Sequence, residues 1–228
     1  MVQPIAETLK QCPVPREVAN GLCAGAPTVQ PWARGWTHRK LRGDRLRPCG
    51  GVGVKIIVFG SGAARAIPEG YDRSEGWRAL LELGRRMGRV AVRYGVMIAV
   101  EPLNRAETNV LTAVGESASD VRKVGHPSVR PLVDAYPWAK ENDSPESIGE
   151  ARDLLCPVHV ATLHRRAPGL EPHDFRPFFS LLKQANYEGR MSIEARFNDL
   201  QAEAGSARCV LLEAAECLAC ARPPRSTA

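Results

Sequence analysis

Short apolar runs alternate with amphipathic segments along most of this chain. The run VKIIVFG at residues 54–60 is continuous and rich in β-branched side chains, which is typical of a parallel strand covered on both faces. The segment after Asp72 instead carries apolar side chains at helical spacing, with Glu75 placed to cap its first turn. Gly95 can end that segment in a left-handed turn. The pattern therefore predicts a strand followed by a helix.

The same alternation repeats four more times. The further strands are predicted at residues 96–101, 129–134, 157–162 and 190–195, and the further helices at about 115–125, 145–155, 173–186 and 203–221. Five strands that are each followed by a helix predict an α/β protein with a parallel sheet, either open or closed into a barrel.

Each of the last four predicted strands carries a potential metal ligand at or near its end. The four residues lie at intervals of 33, 25 and 35 positions, and they are Glu101, Asp134, His159 and Glu194. Strands of a parallel barrel end on one face, so we expect the side chains to converge there. Three carboxylates and one imidazole favour Mn²⁺ or Mg²⁺, and the histidine also suits Co²⁺ or Zn²⁺. Polar residues are common at strand ends in α/β proteins, so an ordinary sheet edge is the alternative.

The distribution of the ligand-type residues also bears on the fold class. They fall on successive strands with no point at which the strand order reverses, and this favours a closed barrel over an open sheet. The 228 residues, 44% of them hydrophobic and 25% charged, suit one globular core. No apolar run reaches the roughly 20 residues of a membrane helix, and the N-terminus lacks the order of a signal peptide. We therefore expect no membrane partner and a cytoplasmic location.

The net charge of +6 is confined to the start of the chain. Residues 1–55 hold nine Lys and Arg against three Asp and Glu, whereas the rest of the chain holds 22 of each. Because the part that carries the ligand-type residues is neutral, nucleic acid is not an expected partner.

Residues 1–53 do not join the alternation of strands and helices. They are rich in Pro, Gly and Arg, so we predict an atypical, basic and irregular segment there, a barrel domain at 54–222 and a disordered tail at 223–228. Five strands do not close a barrel, and open edges need covering. The N-terminal segment could supply weak strands, another copy of the chain could cover the gap in a homo-oligomer, or the chain could be a damaged copy.

Five segments match a known family in their order and spacing: VFGSGAAR, EPLNRAETN, VDAY, VHVATLHRRAPG and YEGRMSIEAR. Together they resemble the sugar phosphate isomerase/epimerase family, whose members share the xylose isomerase-like TIM barrel and include ketose 3-epimerases. The resemblance implies an α/β fold of the (β/α)8 type, with the five clear units standing as strands four to eight. Strands one to three would then lie in residues 1–53, where only the segment REVANGLCAGAPTV is weakly similar to the family pattern.

The resemblance also implies a reaction. The four ligand-type residues would hold the metal, and Glu101 and Glu194 would transfer a proton next to the carbonyl of a sugar or sugar phosphate through an enediolate. Glu107 and Arg165 would contact the substrate. The glycine-flanked turn at Ser61 could hold a substrate oxygen or phosphate with its amides.

One position departs from the family pattern. Three residues after Asp134 the family usually has a histidine that faces the substrate, and this chain has Pro137, which removes a polarising contact. His126 and His164 cannot be assumed to replace it, although His164 stands beside Arg165.

Two other functions stay open. An apurinic-site endonuclease would want more histidine ligands and a basic groove, and the neutral charge argues against it. An inactive or binding-only relative, truncated or frame-damaged at its N-terminus, is the stronger alternative.

Overall fold

The computed structural model describes residues 18–20 and 53–220. The strands are β1 (Val18–Asn20), β2 (Ile56–Phe59), β3 (Met97–Val100), β4 (Val129–Pro131), β5 (Val133–Asp134), β6 (Val158–Val160) and β7 (Met191–Ile193). The helices are α1 (Gly62–Arg65), α2 (Arg73–Arg93), α3 (Val114–Val124), α4 (Ala135–Lys140), α5 (Pro145–Ala151), α6 (Arg176–Gln184) and α7 (Leu200–Cys220). The predicted alternation of strands and helices from residue 54 onward is confirmed.

All the strand pairs among the described residues are parallel, in the orders β1-β2-β3-β4 and β5-β6-β7. The two groups meet at Leu132, which separates β4 from β5 within one extended segment. The Leu132 amide donates to the Val100 carbonyl at 2.8 Å, and the Val133 amide turns to the Pro157 carbonyl at 3.4 Å. The strand predicted at 129–134 therefore pairs with β3 through its first half, β4, and with β6 through its second half, β5. It joins the two groups of parallel strands.

Helix α2 has both of the ends that its sequence predicts. The Asp72 carboxylate accepts a hydrogen bond from the Glu75 amide at 2.8 Å, which satisfies one of the amides that a helix start leaves free. Gly95 follows the helix with a φ of 62°, a left-handed conformation that costs glycine little. Leu83 and Met87 lie on the buried face, where they pack with Ile57 of β2 and neighbouring core residues.

The apolar core lies mainly between the strands and the helices that cover them. One cluster joins α2 and α3 to β2 and β3, and a second joins α5 and α6 to β5 and β6. A third cluster, formed by Val58, Ala99 and Leu132 with the half-buried Val18 and Ile56, lies on the opposite face of the strands. The strands are thus covered on both faces, as the continuous apolar runs predict.

Some elements differ from the sequence analysis. Helix α4 is not among the helices that the sequence pattern predicts. Helices α5 and α6 are shorter than the predicted helices at 145–155 and 173–186. Strand β1 lies inside REVANGLCAGAPTV and pairs with β2. The rest of the irregular segment predicted for residues 1–53, and the tail predicted for 223–228, fall outside the described residues. None of the described helices combines the length and the apolar character that crossing a membrane requires.

Leu83→Ala should lower the free energy of unfolding by about 2–5 kcal/mol, because Leu83 is only 1% exposed and its loss leaves a cavity beside β2 and β3. Val92→Ala on the same helix is the control, since Val92 is 56% exposed and its change should stay within about 0.5 kcal/mol. Urea denaturation measures both values. Equal losses in the two variants would contradict this packing.

Candidate metal centre

The alternation of side chains along the strands directs the four ligand-type residues to one face. Val100 of β3, Val133 of β5, Val158 and Val160 of β6 and Ile193 of β7 all pack toward the covering helices. Successive side chains of a strand point to opposite faces, so the residues that alternate with these five face inward. Those residues are Glu101, Asp134, His159 and Glu194.

The parallel register then brings the four side chains to one level. Asp134 is directly paired with His159, and the Glu194 amide donates to the carbonyl of Val160 at 3.1 Å. One ligand atom from each of the four residues lies within 4.8 Å of the other three. The imidazole Nδ1 of His159 is 2.6 Å from Glu194 Oε2 and 3.5 Å from Glu101 Oε1. The convergence expected from the strand ends is therefore present in the structure.

Burial makes this cluster costly without a cation. The side chains of Glu101 and His159 are only 4% and 2% exposed. Within the described part of the chain, Glu101 Oε1 and Asp134 Oδ2 are buried and accept no hydrogen bond. Buried carboxylate oxygens need a compensating charge or donor, and a divalent cation at the centre would supply it. The donor set of three carboxylates and one imidazole fits such an ion.

Burial and the neighbouring charges shift the pKa values of three residues in the cluster. Burial, together with the nearby charge of Glu101, raises the pKa of Asp134 to about 7. Burial also acts to lower the pKa of His159, but the adjacent Glu101 and Glu194 outweigh it and raise that pKa to about 10. Burial acts to raise the pKa of Glu194, and His159 and Arg165 bring it below its usual range.

Arg165 and Glu107 form the rim of the cluster. Arg165 Nη2 lies 3.5 Å from Glu194 Oε1, and its Nη1 lies 3.4 Å from Glu107 Oε1. Arg165 has a φ of 58°, which is a strained conformation for a residue with a side chain. Its amide donates to Thr162 and its carbonyl accepts from the Arg196 amide, at 2.9 and 2.8 Å. These contacts hold the guanidinium over the cluster.

Tyr136 is a rim residue that the sequence analysis missed. Arg165 lies 5.1 Å from the centre of its ring, and Lys140 donates a hydrogen bond to its hydroxyl at 2.9 Å. Its own amide donates to Asp134 Oδ1 at 3.0 Å, which begins helix α4 at the cluster. Tyr136 stands in the segment VDAY, but no sequence signal indicates its contact with Arg165, because that contact depends on a fold that brings residues 136 and 165 together.

The turn around Ser61 lies beside Glu101. A side chain at Gly60 would overlap with Glu101 Oε2, and one at Gly62 would overlap with the carbonyl of Glu107. Ser61 is half-buried and precedes α1 without capping it through its side chain. The turn therefore packs against both glutamates, and a substrate contact by Ser61 stays a prediction.

His126 and His164 make their contacts away from the four ligand-type residues. His164 is largely exposed and its Nδ1 lies 3.0 Å from Glu171. His126 lies against Gly88 of α2, where its ring fills the space of a Cβ. Pro137 itself is buried in the first turn of α4.

Comparison with known proteins identifies the family. Residues 32–215 match the family model described as the xylose isomerase-like TIM barrel. The chain belongs to this family, and the predicted fold class is confirmed. The crystal structure of 3-keto-D-glucoside 4-epimerase from E. coli has the same fold, with a TM-score of 0.74 at 24% identity over 94% of this chain and 84% of that one.

Two relatives are similar in sequence. The 3-dehydro-D-guloside 4-epimerase of Escherichia coli (strain K12) is 29% identical over 157 residues, which are 67% of this chain and 60% of the relative. The L-ribulose 3-epimerase of Methylomonas sp. (strain DH-1) is 32% identical over 111 residues, which are 48% of this chain and 39% of the relative. The chain thus matches 60% or less of either relative's length.

Gly60→Ala should weaken Mn²⁺ binding about tenfold or more, because the new methyl group would displace the Glu101 carboxylate. Gly149→Ala is the matched control, since a Cβ there meets nothing within 4 Å and alanine suits a helix better than glycine. Isothermal titration with Mn²⁺ compares the two variants. Unchanged affinity in Gly60→Ala would show that Glu101 does not depend on this turn.

Proposed function

We propose that this chain is a metal-dependent sugar isomerase or epimerase. The observation that carries the proposal is the convergence of the inward-facing Glu101, Asp134, His159 and Glu194 within 4.8 Å, with the first three of them buried. Relatives that are named as epimerases of 3-dehydro-D-guloside and of L-ribulose support it. The chain matches 60% and 39% of the length of these two relatives.

The four residues of the cluster would hold one divalent cation, Mn²⁺ before Mg²⁺, Co²⁺ or Zn²⁺. A cation bound there would act as a Lewis acid toward adjacent oxygens of the sugar. The buried carboxylate oxygens of Glu101 and Asp134 that accept no hydrogen bond in the described residues support this assignment.

Glu101 and Glu194 would act as the two proton-transfer groups. They follow β3 and β7, and both carboxylates approach the same imidazole nitrogen of His159, which lies on β6. Carboxylates that reach a reacting carbon from different strands could take its proton on one side and return one on the other. The side chain of Glu194 is 27% exposed, so it has an open path to a substrate.

Arg165 and Glu107 would orient the sugar at the rim. The contacts of the guanidinium with Glu107 and Glu194 are long, at 3.4 and 3.5 Å, so its N–H groups have capacity for a substrate hydroxyl or phosphate. Asn104 donates to the second oxygen of Glu107 and so fixes this carboxylate beside the entrance. Both a free and a phosphorylated sugar are compatible with such a rim.

One Mn²⁺ should bind per chain and raise the melting temperature, because the folded cluster binds the ion and the unfolded chain has no such site. At 100 times the dissociation constant the stabilisation is about 2.7 kcal/mol. Asp134→Ala should abolish most of the binding and the shift. Asp174→Ala is the control, since this carboxylate pairs with Arg176 on the surface. Equal shifts in wild type and Asp134→Ala would refute the metal assignment.

Glu101→Gln should slow the exchange of a substrate α-hydrogen with deuterated water by about 10²-fold or more, because the amide cannot take the proton. Substrate binding should change far less, so the loss should fall on kcat. Glu82→Gln, which removes a surface carboxylate paired with Arg86, should exchange at the wild-type rate.

Nuclear magnetic resonance measures this exchange over a panel of free and phosphorylated ketoses. A folded protein that holds its metal yet exchanges no hydrogen from any sugar in the panel would favour the binding-only alternative.

A further inference from the structure

Arg65 is the largest fully buried side chain among the described residues, and it connects the ends of two strands beside the cluster. Its Nη1 donates to the carbonyl of Phe59 at 3.1 Å, and its Nη2 donates to the carbonyl of Glu101 at 2.5 Å. Phe59 is the last residue of β2, and Glu101 is the first residue after β3. A single guanidinium thus links two neighbouring strands at the point where the candidate ligands begin.

A buried guanidinium is expensive unless charge and hydrogen bonds compensate it. None of the ion pairs within residues 53–220 includes Arg65, and its Nε finds no hydrogen-bond partner there. Burial lowers the pKa of Arg65 to about 10, with the charge of Glu101 acting in the opposite direction, so the residue is a cation at neutral pH. The compensation comes from two carbonyls, the Phe59 ring and the field of the carboxylates.

The short helix α1 explains how Arg65 reaches these carbonyls. The chain leaves β2 at Gly60, makes a single helical turn and closes it with a bond from the Ala66 amide to the Gly62 carbonyl at 2.9 Å. This turn carries Arg65 back over Phe59, whose ring centre lies 5.7 Å from the guanidinium carbon. The terminal arginine of VFGSGAAR is therefore placed by the glycine turn that precedes it.

We propose that Arg65 is a positioning residue that fixes Glu101 for metal binding, an inference that rests on the proposed function. The Glu101 amide donates to the Phe59 carbonyl at 3.3 Å, and the Glu101 carbonyl accepts from Arg65. The backbone N–H and C=O of Glu101 are thereby both held by hydrogen bonds. Its carboxylate is directed into the space that the missing side chain of Gly60 leaves. The Arg65 side chain therefore links the chain at the end of β2 to the residue that follows β3, where the backbone pairing of the two strands ends.

Two roles of Arg65 can be separated by the sign of their effect. If Arg65 acted only through its charge, its removal would strengthen the binding of a cation, because like charges repel. If Arg65 positions Glu101, its removal weakens binding. Lysine keeps the charge but lacks the planar fork that reaches two carbonyls, so Arg65→Lys should also weaken binding.

The experiment titrates Co²⁺ into wild type, Arg65→Met and Arg65→Lys and follows the visible absorption of the bound ion. Both variants should bind about 10- to 100-fold more weakly than wild type, with a changed absorption band that reports altered ligand geometry. Melting curves in a chelator report the stability of each metal-free protein. Leu83→Ala, a core variant on α2, is the matched control, and it should lose stability while keeping the wild-type affinity and band.

The outcomes decide between the roles. Wild-type or tighter affinity in Arg65→Met, or a wild-type band and affinity in Arg65→Lys, would overturn the positioning role. An equal loss of affinity in Leu83→Ala would overturn it too, since general destabilisation would then suffice. If Arg65→Met fails to fold, Arg65→Lys alone decides. Failure of the wild type to bind Co²⁺ or Mn²⁺ would instead refute the proposed function, and this inference with it.

Discussion

Three carboxylates held together in a largely buried space are the constraint on which this site depends. Negative charges in close contact repel one another, and their removal from water adds to the cost. The cluster of Glu101, Asp134, His159 and Glu194 is nevertheless confined within 4.8 Å. Such an arrangement requires a rigid frame, because a frame that could relax would let the carboxylates move apart into water.

The frame is rigid because its apolar residues and its ligands alternate on the same strands. Val158 and Val160 pack against the helices on the outer face, and His159 between them has only the inner face available. A shift of register by one residue would bury the imidazole among apolar side chains and turn the valines toward the carboxylates. The hydrophobic core thus determines the direction of the ligands as well as the stability of the fold.

Much of this arrangement could be predicted from the sequence. The strands follow from continuous apolar runs, and the inward ligands follow from their places on successive strands. Helix α4 could not be predicted, because six residues give no clear amphipathic period. The contact of Tyr136 with Arg165 and the buried bridge of Arg65 also escaped prediction. They join residues that are distant in sequence, and only the folded arrangement of the parallel strands brings them together.

The negative charge of the cluster links the stability of the strands to the positive charges that neutralise it. Arg65 and Arg165 carry positive charge toward the cluster, one from the ends of β2 and β3 and the other from the rim. Both arginines donate to protein atoms, however, and Glu101 Oε1 and Asp134 Oδ2 still accept no hydrogen bond from the described residues. Two fixed cations beside the cluster therefore offset its charge without saturating its ligand atoms. An ion bound at the centre would add its binding energy directly to the stability of the strand ends, because the site does not exist in the unfolded chain.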